Sequence, residues 1–274
     1  MIKEFPYTVS NTDLCNDFII QAVRVWNWLK TSLQTRIILS EETITDFILL
    51  ELQSRHPYEI ITQKYTKRQE SRTGSDWEWW LNSGSNWLGL RIQAKKLDSN
   101  NLEYPGLDKV NLYGRQVDLL ITNSLQSQPK RIPLYVFYNY WDNNKYTLRK
   151  WNCKTYPTDI KMLGCGLVYA QLVRNVLNTG SKLLKDIAPL MYPWSCLVCC
   201  LGYSKSKNDL PNRAFDFIKG AFKMKISKEE FITKEVPSYV YKIIERKTLT
   251  EEEWEKIDVF RITIIREKRE RNHY

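Results

Sequence analysis

The chain has 274 residues, 43% hydrophobic and 26% charged, the proportions of a soluble globular protein with length for a sizeable core. Its net charge of +10 is high for that size; a basic chain tends to meet polyanions, so nucleic acid is the first candidate partner, although many basic proteins bind none. The N-terminus lacks the features of a signal peptide, and Pro189 and Pro193 break the most apolar run, 187–203, which argues against a membrane span and for a cytoplasmic protein.

Asn11-Thr12-Asp13 offers an N-cap, and Leu14, Phe18, Ala22, Val25, Trp26, Leu29 and Leu33 recur at helical spacing, predicting a first helix that ends before Ser40. A second starts at 40–42, with Thr43 and Asp46 at capping-box spacing, and runs towards Ser54. Ile44, Phe47 and Ile48 form its core face; Glu42 and Asp46 lie one turn apart on another. Residues 58–65 alternate as a strand. Two further strands flank the polar turn Asn82-Ser83-Gly84-Ser85-Asn86. The spacing of Tyr113, Val117, Leu120 and Ile121 predicts a helix over 110–125, followed by a strand over 133–140. Beyond residue 141 the signals thin to a helix over 168–178 and strands over 194–201 and 259–266. No repeat or low-complexity linker divides the chain. The order helix, three strands, helix, strand suits an α/β layer fold.

Six cysteines, at 15, 153, 165, 196, 199 and 200, read as reduced thiols acting as small buried hydrophobes. Cys196 and Cys199 have the spacing of half a zinc site, but no second pair completes it, and His56 and His273 are far apart.

The densest chemistry lies around Asp76-Trp77-Glu78-Trp79-Trp80 and Gln93-Ala94-Lys95. With the turn centred on Gly84-Ser85, Asp76 opposes Gln93, Glu78 opposes Arg91 and Gly74 opposes Lys95. Side chains repeat every two residues, so Gln93 and Lys95 share a face with Asp76, and opposed Cβ atoms stand about 5 Å apart. A one-residue slip would undo the arrangement. Taken alone, Asp76, Glu78, Arg91 and Lys95 equally fit a solvated hairpin face paired across strands.

Asp76 with Gln93-Ala94-Lys95 resembles the active-site signature of the PD-(D/E)XK, or restriction-endonuclease-like, superfamily, in the variant where Gln replaces the second acid. The wider run resembles a bacterial family of that superfamily through Glu42-Thr43-Ile44-Thr45-Asp46, Thr66-Lys67, Glu70, the Asp-Trp-Glu-Trp-Trp block, Gln116 and 133–139; it covers the first half of the chain. The resemblance implies an αβββαβ core, with a mixed central sheet flanked by helices, over 36–140. Residues 1–35 then form an N-terminal helix, and 141–274 an α+β extension completing or flanking the same domain.

It further implies a Mg²⁺-dependent, or Mn²⁺-dependent, endodeoxyribonuclease with a place in bacterial defence. Asp76, Gln93, the Ala94 carbonyl and Glu42 would be metal ligands; Lys95 would orient or help deprotonate the attacking water and stabilise the transition state. The missing acid lowers cation affinity and leaves a silent nucleic-acid-binding module as the alternative. DNA is favoured over RNA, and a homodimer is left open. Lys64, Lys67, Arg68 and Arg72 are candidates for phosphate contact, and Trp80 and Gln116 for contact with the nucleic acid. Trp77 and Trp79, on the opposite face, belong to the core.

Overall fold

The computed structural model describes residues 12–65, 74–200, 202–204, 206 and 209–267; the expected cap at Asn11 falls outside them. Helix α1 (Thr12–Thr35) buries Phe18, Ala22, Val25, Trp26 and Leu29, the apolar stripe that its spacing predicts. Helix α2 (Glu41–Arg55) starts where the Ser40 hydroxyl accepts the Thr43 N–H at 3.0 Å. Asp46 is no capping-box partner: it bonds Lys64 at 2.6 Å and Arg261 at 2.8 Å, on neighbouring strands. Phe47 is also not core, being 52% exposed against Trp28; Ile44, Ile48, Leu49 and Leu52 form the buried face.

The hairpin has the register expected from its turn. Strand β2 (Trp77–Ser83) pairs antiparallel with β3 (Asn86–Lys96), Glu78 opposing Arg91 and Trp77 opposing Ile92. Strand β1 (Ile60–Lys64) does not join it directly. Next come the short strands β4 (Val110–Asn111) and β5 (Gly114–Arg115), helix α3 (Gln116–Gln126) and strand β6 (Arg131–Tyr138). The expected helix over 110–125 is thus half right. Gly114, at φ +129°, closes a small hairpin before α3, and Tyr113 is 51% exposed on it.

Strand β7 (Cys165–Tyr169) occupies residues partly expected to be helical; the helix there is Ala170–Asn178. Strand β8 is only Tyr192–Pro193, and the described part of the expected strand over 194–201, residues 194–200, is not a strand but holds the short helix Cys196–Cys199. An apolar run of that length carries no period able to separate helix from strand. Strands β9 (Ile232–Thr233) and β10 (Arg261–Arg266) follow.

Among the described residues eight of these strands make one mixed sheet in the order β1-β10-β2-β3-β6-β7-β8, with β9 on β3, while β4 and β5 pair with each other. β10 lies antiparallel to β1 and parallel to β2, and β3 lies parallel to β6. The fold is α/β, a mixed central sheet flanked by helices. Trp77, Trp79, Leu88, Leu90 and Ile92 pack in one cluster with α1, α2 and the helix Leu210–Ala221. Tyr135 and Phe137 pack with α3 and the helix Ala170–Asn178 in a second. Trp80, Ile262 and Ile264 meet the helix Ser238–Ile244 in a third.

Cys15 and Cys199 are joined in a disulfide, Cα to Cα 5.6 Å, which corrects the expectation of six reduced thiols: packing of the helix Cys196–Cys199 into the cluster around α1 brings the two together. Among the described residues no helix is long and apolar enough to cross a membrane.

Candidate active site

Asp76 stands just before β2. Its N–H donates to the Ile92 carbonyl at 3.0 Å and its carbonyl accepts the Arg261 N–H at 3.2 Å, so the backbone is held between β3 and β10. Its carboxylate Oδ2 accepts the Gln93 side-chain amide at 2.5 Å and the Ala94 N–H at 3.0 Å. The Gln93 Nε2 also donates to the Ala94 carbonyl at 3.1 Å. The expected convergence of Asp76, Gln93 and Ala94 is therefore present, with one amide nitrogen between two oxygens.

These groups line a cavity of about 420 Å³ together with Glu41, Glu42, Thr45, Lys95, Lys109, Asn111, Gln116, Phe260 and Arg261. Glu42 comes from the first turn of α2. Two contacts fix that turn against β3: the Glu41 carboxylate accepts the Lys96 N–H at 2.8 Å, and the Lys96 ammonium donates to the Leu39 carbonyl at 2.6 Å. Lys95 is only 5% exposed, an ammonium held where the effective dielectric is low and its field strong. Gln116 opens α3, its N–H bonded to the Lys109 carbonyl at 2.9 Å.

Two oxygens stand out. Gln93 is 2% exposed and its Oε1 is buried without a hydrogen-bond partner; so is the Oε1 of Gln116. A buried acceptor left unpaired costs about 1–3 kcal/mol, and both residues line the same cavity. Amide and carboxylate oxygens are the donors a hard divalent cation takes. Among the described residues no three His, Cys, Asp or Glu side chains are grouped to hold a metal. A cation here would therefore depend on the amide oxygens and the Ala94 carbonyl besides Asp76. Tyr135, opposite Gln93 on β6, has a buried hydroxyl without a partner; burial, and then the Asp76 charge, push its phenol far above the ordinary range.

Of the expected contact residues, Gln116 is at the cavity and Trp80 is not. Trp80 is fully buried beneath Arg131, and its Nε1 donates to Glu78 at 2.6 Å. Alternation placed it on the face of Asp76, but the C-terminal helices cover that face beyond Glu78. Lys64 is half exposed and paired with Asp46. Lys67, Arg68 and Arg72 lie outside the described residues. Sequence reasoning missed Arg261, Lys109 and Asn111. Arg261 is buried and fastened to Asp46 by Nε at 2.8 Å and by a second guanidinium nitrogen at 2.7 Å. No local pattern could place it there, because its strand arrives from the far end of the chain.

The chain belongs to a family of unknown function, DUF6615, whose profile matches residues 14–271; the match takes in β10 with Arg261 as well as the hairpin. No curated protein matches the chain.

Proposed function

We propose that this family member is a metal-dependent nuclease of the PD-(D/E)XK type, hydrolysing phosphodiester bonds in DNA before RNA. What carries the reading is the convergence of Asp76, Gln93, Ala94, Lys95 and Glu42 on one cavity, two of whose lining residues, Gln93 and Gln116, have a buried amide oxygen without a hydrogen-bond partner. A bound Mg²⁺ or Mn²⁺ would neutralise charge developing on the phosphate. Asp76 supplies the fixed negative charge of the site. Rotation of the Gln93 amide exchanges Nε2 for Oε1 towards Asp76 and the Ala94 carbonyl. The Lys95 ammonium donates to a phosphate oxygen, and to the attacking water, inside a low-dielectric wall where such donors act most strongly. Glu42 accepts a proton from that water. Lys109 and Arg261 hold flanking phosphates, a role that suits the basic chain.

The test incubates the protein with supercoiled plasmid, linear DNA and RNA in Mg²⁺ or Mn²⁺, beside Asp76→Ala and Lys95→Ala. Cutting should fall by about 10²–10³-fold in each variant. Cutting that survives both sinks the proposal.

A second reading, a silent nucleic-acid-binding module, is favoured by one observation. The Asp76 carboxylate already accepts two hydrogen bonds from β3, a state that needs no cation. Retarded migration of DNA without cutting would support it.

A further inference from the structure

Apart from the cavity, the most chemically loaded place in the molecule is a sulfur cluster. Cys15 and Cys199 are disulfide-bonded, and Tyr156 joins this bond to the neighbouring thiols: its hydroxyl lies 2.7 Å from the Cys15 sulfur, and its N–H donates to the Cys153 sulfur at 3.4 Å. Cys153 and Cys196 stand sulfur to sulfur at 3.5 Å, and the Cys200 sulfur lies 3.0 Å from the Thr155 hydroxyl. Five cysteines from α1, the 141–159 segment and the helix Cys196–Cys199 with its cap are thus gathered together. None of them touches the proposed active-site cavity.

We propose that Cys153 and Cys196 are a redox-active dithiol that a hydroperoxide converts into a second disulfide, with Cys153 reacting first. Closing 3.5 Å to a bond of about 2.05 Å asks little movement, and Cys153 sits in a segment, 141–159, that is neither helix nor strand. Cys153 is 7% exposed whereas Cys196 is fully buried, so a small oxidant meets Cys153 first. The electrostatics agree. Hydrogen bonds from Cys196 and then Cys200 hold the Cys153 thiol below its ordinary range, while burial pushes Cys196 above it. One sulfur is the thiolate that attacks and the other the protonated thiol that resolves.

The Cys153 thiolate displaces hydroxide from hydrogen peroxide and becomes a sulfenic acid; the hydroxide takes a proton from solvent and leaves as water. The Cys196 sulfur then attacks the sulfenic sulfur, and the departing hydroxide carries off the Cys196 proton as a second water. Two thiols lose two electrons and one peroxide gains them.

The native protein is titrated with hydrogen peroxide, the remaining thiols are alkylated after denaturation, and linked peptides are mapped by mass spectrometry. Cys165 is the internal control: it is fully buried in β7, and burial alone raises its pKa. A Cys153–Cys196 link should form at a peroxide concentration at least about tenfold below that which oxidises Cys165. Cys196→Ser should instead accumulate a sulfenic acid on Cys153 that dimedone traps. Three results would each overturn the proposal: oxidation of Cys153 no faster than of Cys165, a Cys153–Cys200 link in place of the expected one, or one zinc or iron per chain lost in Cys153→Ser.

Discussion

Glu78 is two residues from Asp76 and serves a different purpose. It is fully buried and accepts hydrogen bonds from Tyr239 at 2.5 Å and Trp80 at 2.6 Å. Arg91 and Arg131 approach its second oxygen at 3.0 Å as ion pairs without hydrogen-bond alignment, and Arg91 continues to Asp258 at 2.7 Å. Burial by itself would raise the Glu78 pKa, but the charges of Arg131 and Arg91 bring it below the ordinary value. A carboxyl depressed in the folded state contributes stability above its unfolded pKa of about 4.3, and loses it as pH falls through the folded value. The urea midpoint should therefore hold from pH 8 to 5 and drop below about pH 4. Glu78→Gln leaves two buried guanidiniums without their shared counter-charge and should cost about 3–5 kcal/mol; a loss below about 1 kcal/mol, typical of an exposed pair, would refute the account. Gln93 makes the complementary case. With few acids at the cavity, Mg²⁺ titrated into the free protein should give little heat, whereas Gln93→Glu adds a charged oxygen and should bind measurably tighter by calorimetry. Tight binding of one Mg²⁺ to the unaltered free protein would contradict this. The hairpin partners, Arg91 for Glu78 and Asp76 for Gln93, were legible, because a Gly-Ser turn and a period of two determine who faces whom; Arg131 and Tyr239 were not. What covers each face was not, and Trp80 was misplaced for that reason.

The pieces that frame the cavity depend on one close approach. Gly74 has φ +69°, and a Cβ there would collide with the Gln116 carbonyl oxygen. Gly74, two residues before Asp76, and the first turn of α3 are thereby pressed together, which brings Gln116 to the cavity. Gly74→Ala should cost about 1–3 kcal/mol through the left-handed backbone alone, lowering the melting temperature by about 2–4 °C for each kcal/mol. If the proposed nuclease activity is present, it should fall by more than the lost stability explains, because Gln116 must move away. Unchanged melting would show that the contact is loose. Helix α3 itself was half legible. Tyr113 lies four residues before Val117, a helical interval, so the period ran on through Gly114, where a positive φ ends it. The segment before Gly114 instead forms the hairpin that offers Lys109 and Asn111 to the cavity.

The whole molecule is closed by its far end. The β-branched run in 259–266 was readable as a strand, but periodicity names no partner, and nothing local says that β10 enters between β1 and β2. Its two faces differ: Ile262 and Ile264 pack in the cluster with Trp80, and Ile265 in the one with Trp79. At its start, Arg261 ties α2 to the cavity through Asp46, whose carboxyl the Lys64 and Arg261 hydrogen bonds hold below the ordinary range despite burial. β1 pairs with β10, not with β2. A chain ending at residue 256 would therefore strand β1, expose the backbone edge of β2 and take Ile262, Ile264 and Ile265 out of the clusters that hold Trp80 and Trp79. An open, flat, apolar edge of this kind pairs with other copies. The truncated protein should thus lose its cooperative thermal transition by circular dichroism and aggregate, although every residue of the Asp76–Gln93–Lys95 group is still present. A fragment spanning 36–140, which holds all the proposed metal ligands, should fail in the same way. If either piece melts cooperatively and binds DNA, β10 is an accessory strand and Arg261 has no part in the site.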